Sequence, residues 1–201
     1  SVAFSILDDK TTTETRSYGD VSSVFSQSAA IPASTTTTIV STATSYRALK
    51  VLSLVQVASS EQFYSTELNI LHDGTDVSLL EYGSLSTLEE DYAAGVGTFG
   101  ARISGGDILV EFHPTVGVAM TCNSAVIAIS DNGTSTGTFD LDVSRVGTSY
   151  SSIPASGSPT TNVISSYTTP YETAYCVVVV ENTTDSEYEM FEFAVINSTV
   201  N

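Results

Sequence analysis

Positive charge is scarce in this chain: six Lys and Arg stand against 23 Asp and Glu among 201 residues, a formal net charge of −17. So few cations cannot neutralise a row of phosphates, which excludes nucleic acid as a partner. An anionic membrane surface repels the chain for the same reason. Cysteine is scarce too: Cys122 and Cys176 are the only two, too few for a disulfide framework. Each lies in an apolar run and reads as a separate buried thiol, although spacing alone leaves a bridge between them open. Trp, a common sugar-stacking residue, is absent. The two histidines, His72 and His113, belong to no H-x-x-x-H or C-x-x-C pattern, whereas a zinc centre needs three or four converging ligands. No apolar run reaches the length of roughly 18 residues needed to cross a membrane as a helix. The start, Ser1-Val-Ala-Phe-Ser-Ile-Leu-Asp-Asp9, lacks a basic stretch followed by a long apolar one, so no signal peptide is expected.

What is present is material for strands. Hydrophobic residues make up 41% of the chain, so a core is within reach despite the acidity. Ser (31) and Thr (28) supply 59 residues, and a Ser/Thr-rich exterior fits a chain of alternating strands. Asp73-Gly74 reads as a two-residue hairpin loop that pairs Ile70 with Val77 and Leu68 with Leu79 on one face, with Asn69 and Ser78 on the other. Gly105-Gly106 reads the same way, pairing Ile103 with Ile108, Ala101 with Val110 and Phe99 with Phe112. Arg102 then lies on the opposite face, diagonal to Glu111, and Pro114 ends the strand. Further strands are expected at 49–57, 125–130, 137–143 and 175–181. Only 85–94 has a helix-compatible composition. The predicted fold is an all-β, antiparallel sandwich with jelly-roll-like character.

The chain also repeats itself. At an offset of 125 residues and without gaps, Ile39–Asp73 aligns with Ile164–Ser198. Ile39 falls on Ile164, Tyr46 on Tyr171, Val55 on Val180 and Glu67 on Glu192. Phe63 matches Tyr188, Leu68 matches Phe193 and Ile70 matches Val195, so the hydrophobic phase is kept. Ile31-Pro-Ala-Ser34 recurs as Ile153-Pro-Ala-Ser156, at an offset of 122. The expected organisation is an N-terminal strand or docking arm over 1–30, a β-sandwich module over 31–130, and a second, incomplete β module over 131–201. In that second copy, the partners equivalent to Val77–Tyr82 and Phe99–Phe112 are missing. Phe191–Ile196 would then be an apolar edge, completed by another subunit or by more chain; the alternative is a minimal second sandwich that closes with its own earlier strands.

Two runs carry a family resemblance: Glu67-Leu-Asn-Ile-Leu-His-Asp-Gly-Thr-Asp-Val-Ser-Leu-Leu-Glu-Tyr-Gly83 and Gly97-Thr-Phe-Gly-Ala-Arg-Ile-Ser-Gly-Gly-Asp-Ile-Leu-Val-Glu-Phe-His-Pro114. Together with Ser45–Val57, they resemble the repeated β-rich module of structural proteins from marine tailed phages, cyanophages above all. The likeness extends over about residues 30–130, with 131–201 resembling the start of a further module. Where that family often has acidic residues after the Gly-Thr-Phe element, this chain has Gly100, Ala101 and Arg102. The resemblance implies a virion component assembled in the host cytoplasm: a tail-fibre or tail-appendage subunit first, a capsid decoration protein second. Its partners would be copies of itself and other virion proteins.

Catalytic chemistry finds little footing. Acidic pairs at Asp8-Asp9, Asp73/Asp76, Glu89-Glu90-Asp91 and Asp140/Asp142 read as solvated loop carboxylates. Ca²⁺ at Glu89–Asp91 is the weaker alternative, because no EF-hand loop pattern is present. No catalytic, cofactor or metal residue is assigned, and no enzyme is expected. Receptor or glycan contact remains the reading from another class, with Tyr46, Tyr64, Tyr82 and Tyr92 more in keeping with half-buried strand positions than with a sugar platform. The sequons at Asn132, Asn182 and Asn197 are the chance matches a Ser/Thr-rich chain produces.

Overall fold

The computed structural model describes residues 15–18, 22–60, 62–87, 95–131, 138–141, 144–147, 151, 153 and 173–196. All its regular elements are antiparallel strands. A six-stranded sheet runs in the order β1 (Thr15–Tyr18), β2 (Ser22–Ile31), β9 (Met120–Ser130), β4 (Tyr46–Val57), β5 (Phe63–His72), β6 (Val77–Ser86). A three-stranded sheet, β3 (Thr37–Ala43), β8 (Asp107–Pro114) and β7 (Gly97–Ser104), lies against its inner face. Two further hairpins are β10 (Thr138–Leu141) with β11 (Ser144–Gly147), and β12 (Thr173–Asn182) with β13 (Glu187–Ile196).

Alternation explains the layering. On β4 and β5, Leu49, Val51, Val55, Leu68 and Ile70 point inward and are fully buried against Val40, Ile108, Val110 and Phe112 of the smaller sheet. Phe99 meets Phe112 edge-on, with ring centroids 5.0 Å apart. Serines fill several inward positions and satisfy one another: Ser53 and Ser124 hydroxyls lie 3.2 Å apart, and Ser23 lies 2.7 Å from the Tyr46 hydroxyl. Cys122 and Cys176 are both free thiols, Cys122 buried and Cys176 half-buried.

The β7–β8 hairpin has the predicted register residue for residue, and Gly105 and Gly106 both take positive φ (65° and 92°), as a type I′ turn requires. Arg102 makes a bidentate contact with Glu111 across the diagonal, at 3.0–3.1 Å. The β5–β6 hairpin corrects the expectation. Ile70 pairs with Leu79, and His72 with Val77, two residues away from the predicted register. Asp73 Oδ1 accepts the amides of Thr75 and Asp76 at 2.7 and 2.8 Å, which draws four residues into the turn rather than two. A two-residue slip preserves the faces, so Leu68, Ile70, Val77 and Leu79 still share the inner side.

Ser22–Ile31 lies inside the large sheet, paired on one side with β1 and on the other with β9. This part of the N-terminal segment is therefore a sheet strand and not an arm. Of the helix-compatible stretch 85–94, Leu85 and Ser86 belong to β6, and 88–94 lie outside the described residues.

The repeat reappears in the pairing. In the β4–β5 hairpin Ala48 pairs with Leu71 and Gln56 with Phe63; in β12–β13 Thr173 pairs with Ile196 and Glu181 with Tyr188. Adding 125 to each member of the first set gives the second, so the two hairpins share one register and one connection length.

Candidate functional site

A cluster of charged and aromatic side chains lies where the second hairpin docks on the outer face of the large sheet, around the buried Lys50. Past an irregularity between Tyr46 and Ala48, the even-numbered positions of β4 face outward, and Lys50 is one of them. Its strand neighbour Asn69, the adjacent Glu67 on β5, and Tyr82 on β6 opposite Glu67 share that face. Tyr175 of β12 and Glu192 of β13 come down on them from the second hairpin. Lys50 Nζ donates to Glu67, to Glu192 Oε2 at 2.7 Å and to the Tyr175 hydroxyl at 2.8 Å. It also lies 5.3 Å from the Tyr175 ring centroid and 5.8 Å from that of Tyr82. The Tyr82 hydroxyl donates to Glu192 Oε2 at 2.9 Å, and Tyr175 donates to the same oxygen.

Lys50 is only 7% exposed, unusual for a lysine, and the site compensates. Burial by itself would lower its pKa, but the hydrogen bonds to Glu192 and Glu67 override that and hold the ammonium above its ordinary value. Burial pushes Glu192 upward, and Lys50, Tyr175 and Tyr82 together bring it below the usual carboxylate range. The hydrogen bond to Glu67, then burial, raises the Tyr82 phenol to about 12. The lysine thus stays charged and is a counter-ion, not a nucleophile.

A second contact of the same kind lies at the other end of the hairpin. Arg47 on β4 donates to Asp131, the Tyr188 hydroxyl reaches Glu181 at 3.2 Å and Asp131 at 3.4 Å, and the guanidinium sits 5.5 Å from the Tyr188 ring centroid. The two clusters clamp both ends of one hairpin to one sheet. The Lys50 cluster joins the two copies of the repeat at equivalent positions: Lys50 corresponds to Tyr175 and Glu67 to Glu192 at the 125-residue offset.

The histidines are occupied elsewhere. His72 is buried beside the β5–β6 turn, where Nδ1 accepts the Gly74 amide at 3.0 Å and Nε2 donates to the Tyr46 carbonyl at 2.8 Å. Burial lowers its pKa, so the neutral ring is the folded form. His113 Nδ1 lies 3.0 Å from the Thr36 hydroxyl at the far end of the smaller sheet. Among the described residues no three His, Cys, Asp or Glu side chains are grouped to hold a metal ion. Asp73 of the Asp73/Asp76 pair spends its carboxylate on the turn amides, while Asp8-Asp9, Glu89-Glu90-Asp91 and Asp142 lie outside the described residues. The sequence reading missed one motif, Gly133-Thr-Ser-Thr-Gly137, a G-x-S-x-G pentapeptide that also lies outside them. It falls between strands β9 and β10, whereas a nucleophile elbow joins a strand to a helix.

Tyr46, Tyr64 and Tyr82 hydrogen-bond to Ser23, Glu81 and Glu192, which fixes them within the sheet. Tyr92 lies outside the described residues. The junction was invisible in the sequence because nothing in a repeat says that its equivalent residues will meet. The one available signal was a lysine at an alternating strand position between apolar neighbours, Leu49 and Val51. No protein-family model matches the chain, and no curated protein matches it.

Proposed function

We propose that the chain is a non-enzymatic structural subunit of a tailed-phage particle, a component of a tail fibre or tail appendage. The observation that carries this reading is the recurrence of one hairpin, in one register, docked through charged and aromatic side chains onto the sheet that holds its first copy. Such a chain builds length by adding β layers, and its charged groups serve as clamps. The cationic side chains among the described residues support this: Arg47, Lys50 and Arg102 are each paired with a carboxylate. The resemblance of 67–83 and 97–114 to the phage module points to the particle, with copies of the chain and other virion proteins as neighbours. Capsid decoration is the second reading, since a compact two-sheet sandwich with an acidic exterior suits a head appendage equally well. A carbohydrate- or receptor-binding module draws less support, because the sheet tyrosines are tied up in internal hydrogen bonds.

Immunogold labelling of purified particles tests the proposal. Gold on the tail is expected; gold on the head selects the decoration reading; particles without label overturn both.

A further inference from the structure

The two hairpins meet outer face to outer face, so their inner faces point in opposite directions. In β4–β5 the inner face (Val51, Val55, Leu68, Ile70) is sealed by the three-stranded sheet. The corresponding face of β12–β13 carries Cys176, Val178, Val180, Phe191 and Phe193, with Cys176 paired to Phe193 and Val178 to Phe191. It is open: Phe191 is 47% exposed, Phe193 41% and Val180 39%. Among the described residues no strand layer covers it.

We infer that this face is a contact between two copies of the chain, hairpin against hairpin about a twofold axis near the Cys176–Phe193 pair. The repeat defines what fits: an antiparallel β layer with apolar side chains at alternate positions, because that is what covers the equivalent face. The same hairpin of a second copy is such a layer. Charge decides the orientation. The central side chains are uncharged, and the nearest carboxylate is Glu189, opposite Val180 at one end. A twofold axis at Cys176–Phe193 sends the two Glu189 side chains to opposite ends, roughly 25 Å apart and beyond a Debye length of about 8–10 Å. The size of the face sets the strength. Two strands about 10 Å across and roughly 24 Å long bury on the order of 500 Å² over both copies, well under the ~1,200 Å² of a stable interface. The contact is therefore weak in solution and is reinforced where many copies are held side by side. The inference stands on strand pairing and burial and is independent of the virion reading.

Sedimentation equilibrium of the full chain from about 10 µM to 1 mM, the range expected for a patch this small, tests it. A reversible dimer is expected, several-fold tighter at 0.5 M than at 0.1 M NaCl (~0.1 M being the low-salt reference) because screening relieves repulsion between two chains of net charge −17. A short thiol cross-linker should join Cys176 to Cys176 of the second copy. Phe193→Glu should lower dimer formation at least tenfold, about 1.4 kcal/mol. Val178→Lys should do the same, and circular dichroism reports whether each variant keeps its strands. A monomer across the whole range, dimers undiminished in a folded variant, or a dimer in which Cys176 does not cross-link to Cys176 of the second copy would each overturn the inference.

Discussion

Replacing Lys50 with Met removes the charge from the centre of the junction and keeps a side chain of similar length. Glu67 and Glu192 are then left facing each other with no cation between them. Breaking a buried ion pair in this way costs about 3–5 kcal/mol when the remaining charge is fully enclosed. Here the side chains of Glu67 and Glu192 retain 19% and 15% exposure, so some solvent screening survives and about 2–3 kcal/mol is the better figure. The penalty has a ceiling, because undocking the hairpin rehydrates both carboxylates. The loss therefore appears first as opening of β12–β13, not as unfolding of the sandwich. Native-state hydrogen exchange separates the two. Amides of 174–180 and 188–195 should lose protection by 2–3 kcal/mol (about 30- to 150-fold) while those of β4 and β9 stay within ~0.5 kcal/mol of wild type. The pH dependence should invert as well. In the wild type Glu192 titrates below its ordinary range, so its contribution is present above the unfolded-state carboxylate pKa and is lost as pH falls through the folded value. In K50M the two facing carboxylates repel each other, so acidification that neutralises either one should restore docking. Unchanged protection in β12–β13 at neutral pH would refute the ion cluster as the clamp.

Three further outcomes follow from the geometry. Burial keeps His72 neutral in the folded state, so stability should be full above about pH 6.5 and fall as pH drops from there towards the lower folded value; thermal melts should show this slope in the wild type and lose it in His72→Gln, and equal slopes would contradict it. Gly97→Ala places a Cβ into the Phe112 ring and 2.6 Å from the His113 carbonyl oxygen, which should cost about 1–3 kcal/mol in urea unfolding, whereas a loss under ~0.5 kcal/mol would show that the strands separate freely. A thiol reagent should label Cys176 at once and Cys122 only on unfolding, since burial pushes the Cys122 thiol up to about 11; equal rates would place Cys122 at the surface.

How far the sequence could be read depended on who sets the local geometry. Gly105-Gly106 dictates its turn through backbone conformation alone, so the β7–β8 register was readable to the residue. At Asp73 a side chain competes for the turn amides, and dipeptide rules cannot see that the carboxylate will capture Thr75 and Asp76. Strands β2 and β3 were passed over because small hydroxyl residues blur their alternation: Ser22 and Ser23 are buried polar positions at the start of β2, and the largely exposed Thr35–Thr38 run leads into β3 with little hydropathy contrast. The repeat alignment was legible and put Glu67 on Glu192, yet contact between the two copies depends on how the second hairpin docks. No local pattern encodes that.

The central claim is that this chain is a built-in part of a particle, and counting it there is the most direct test. Mass spectrometry of gradient-purified tailed-phage particles, with isotope-labelled peptides of the chain as internal standards, measures copies per particle. The account predicts a fixed copy number that keeps step with the tail proteins from one preparation to the next. A chain absent from particles, or carried at a number that varies with washing, would contradict it.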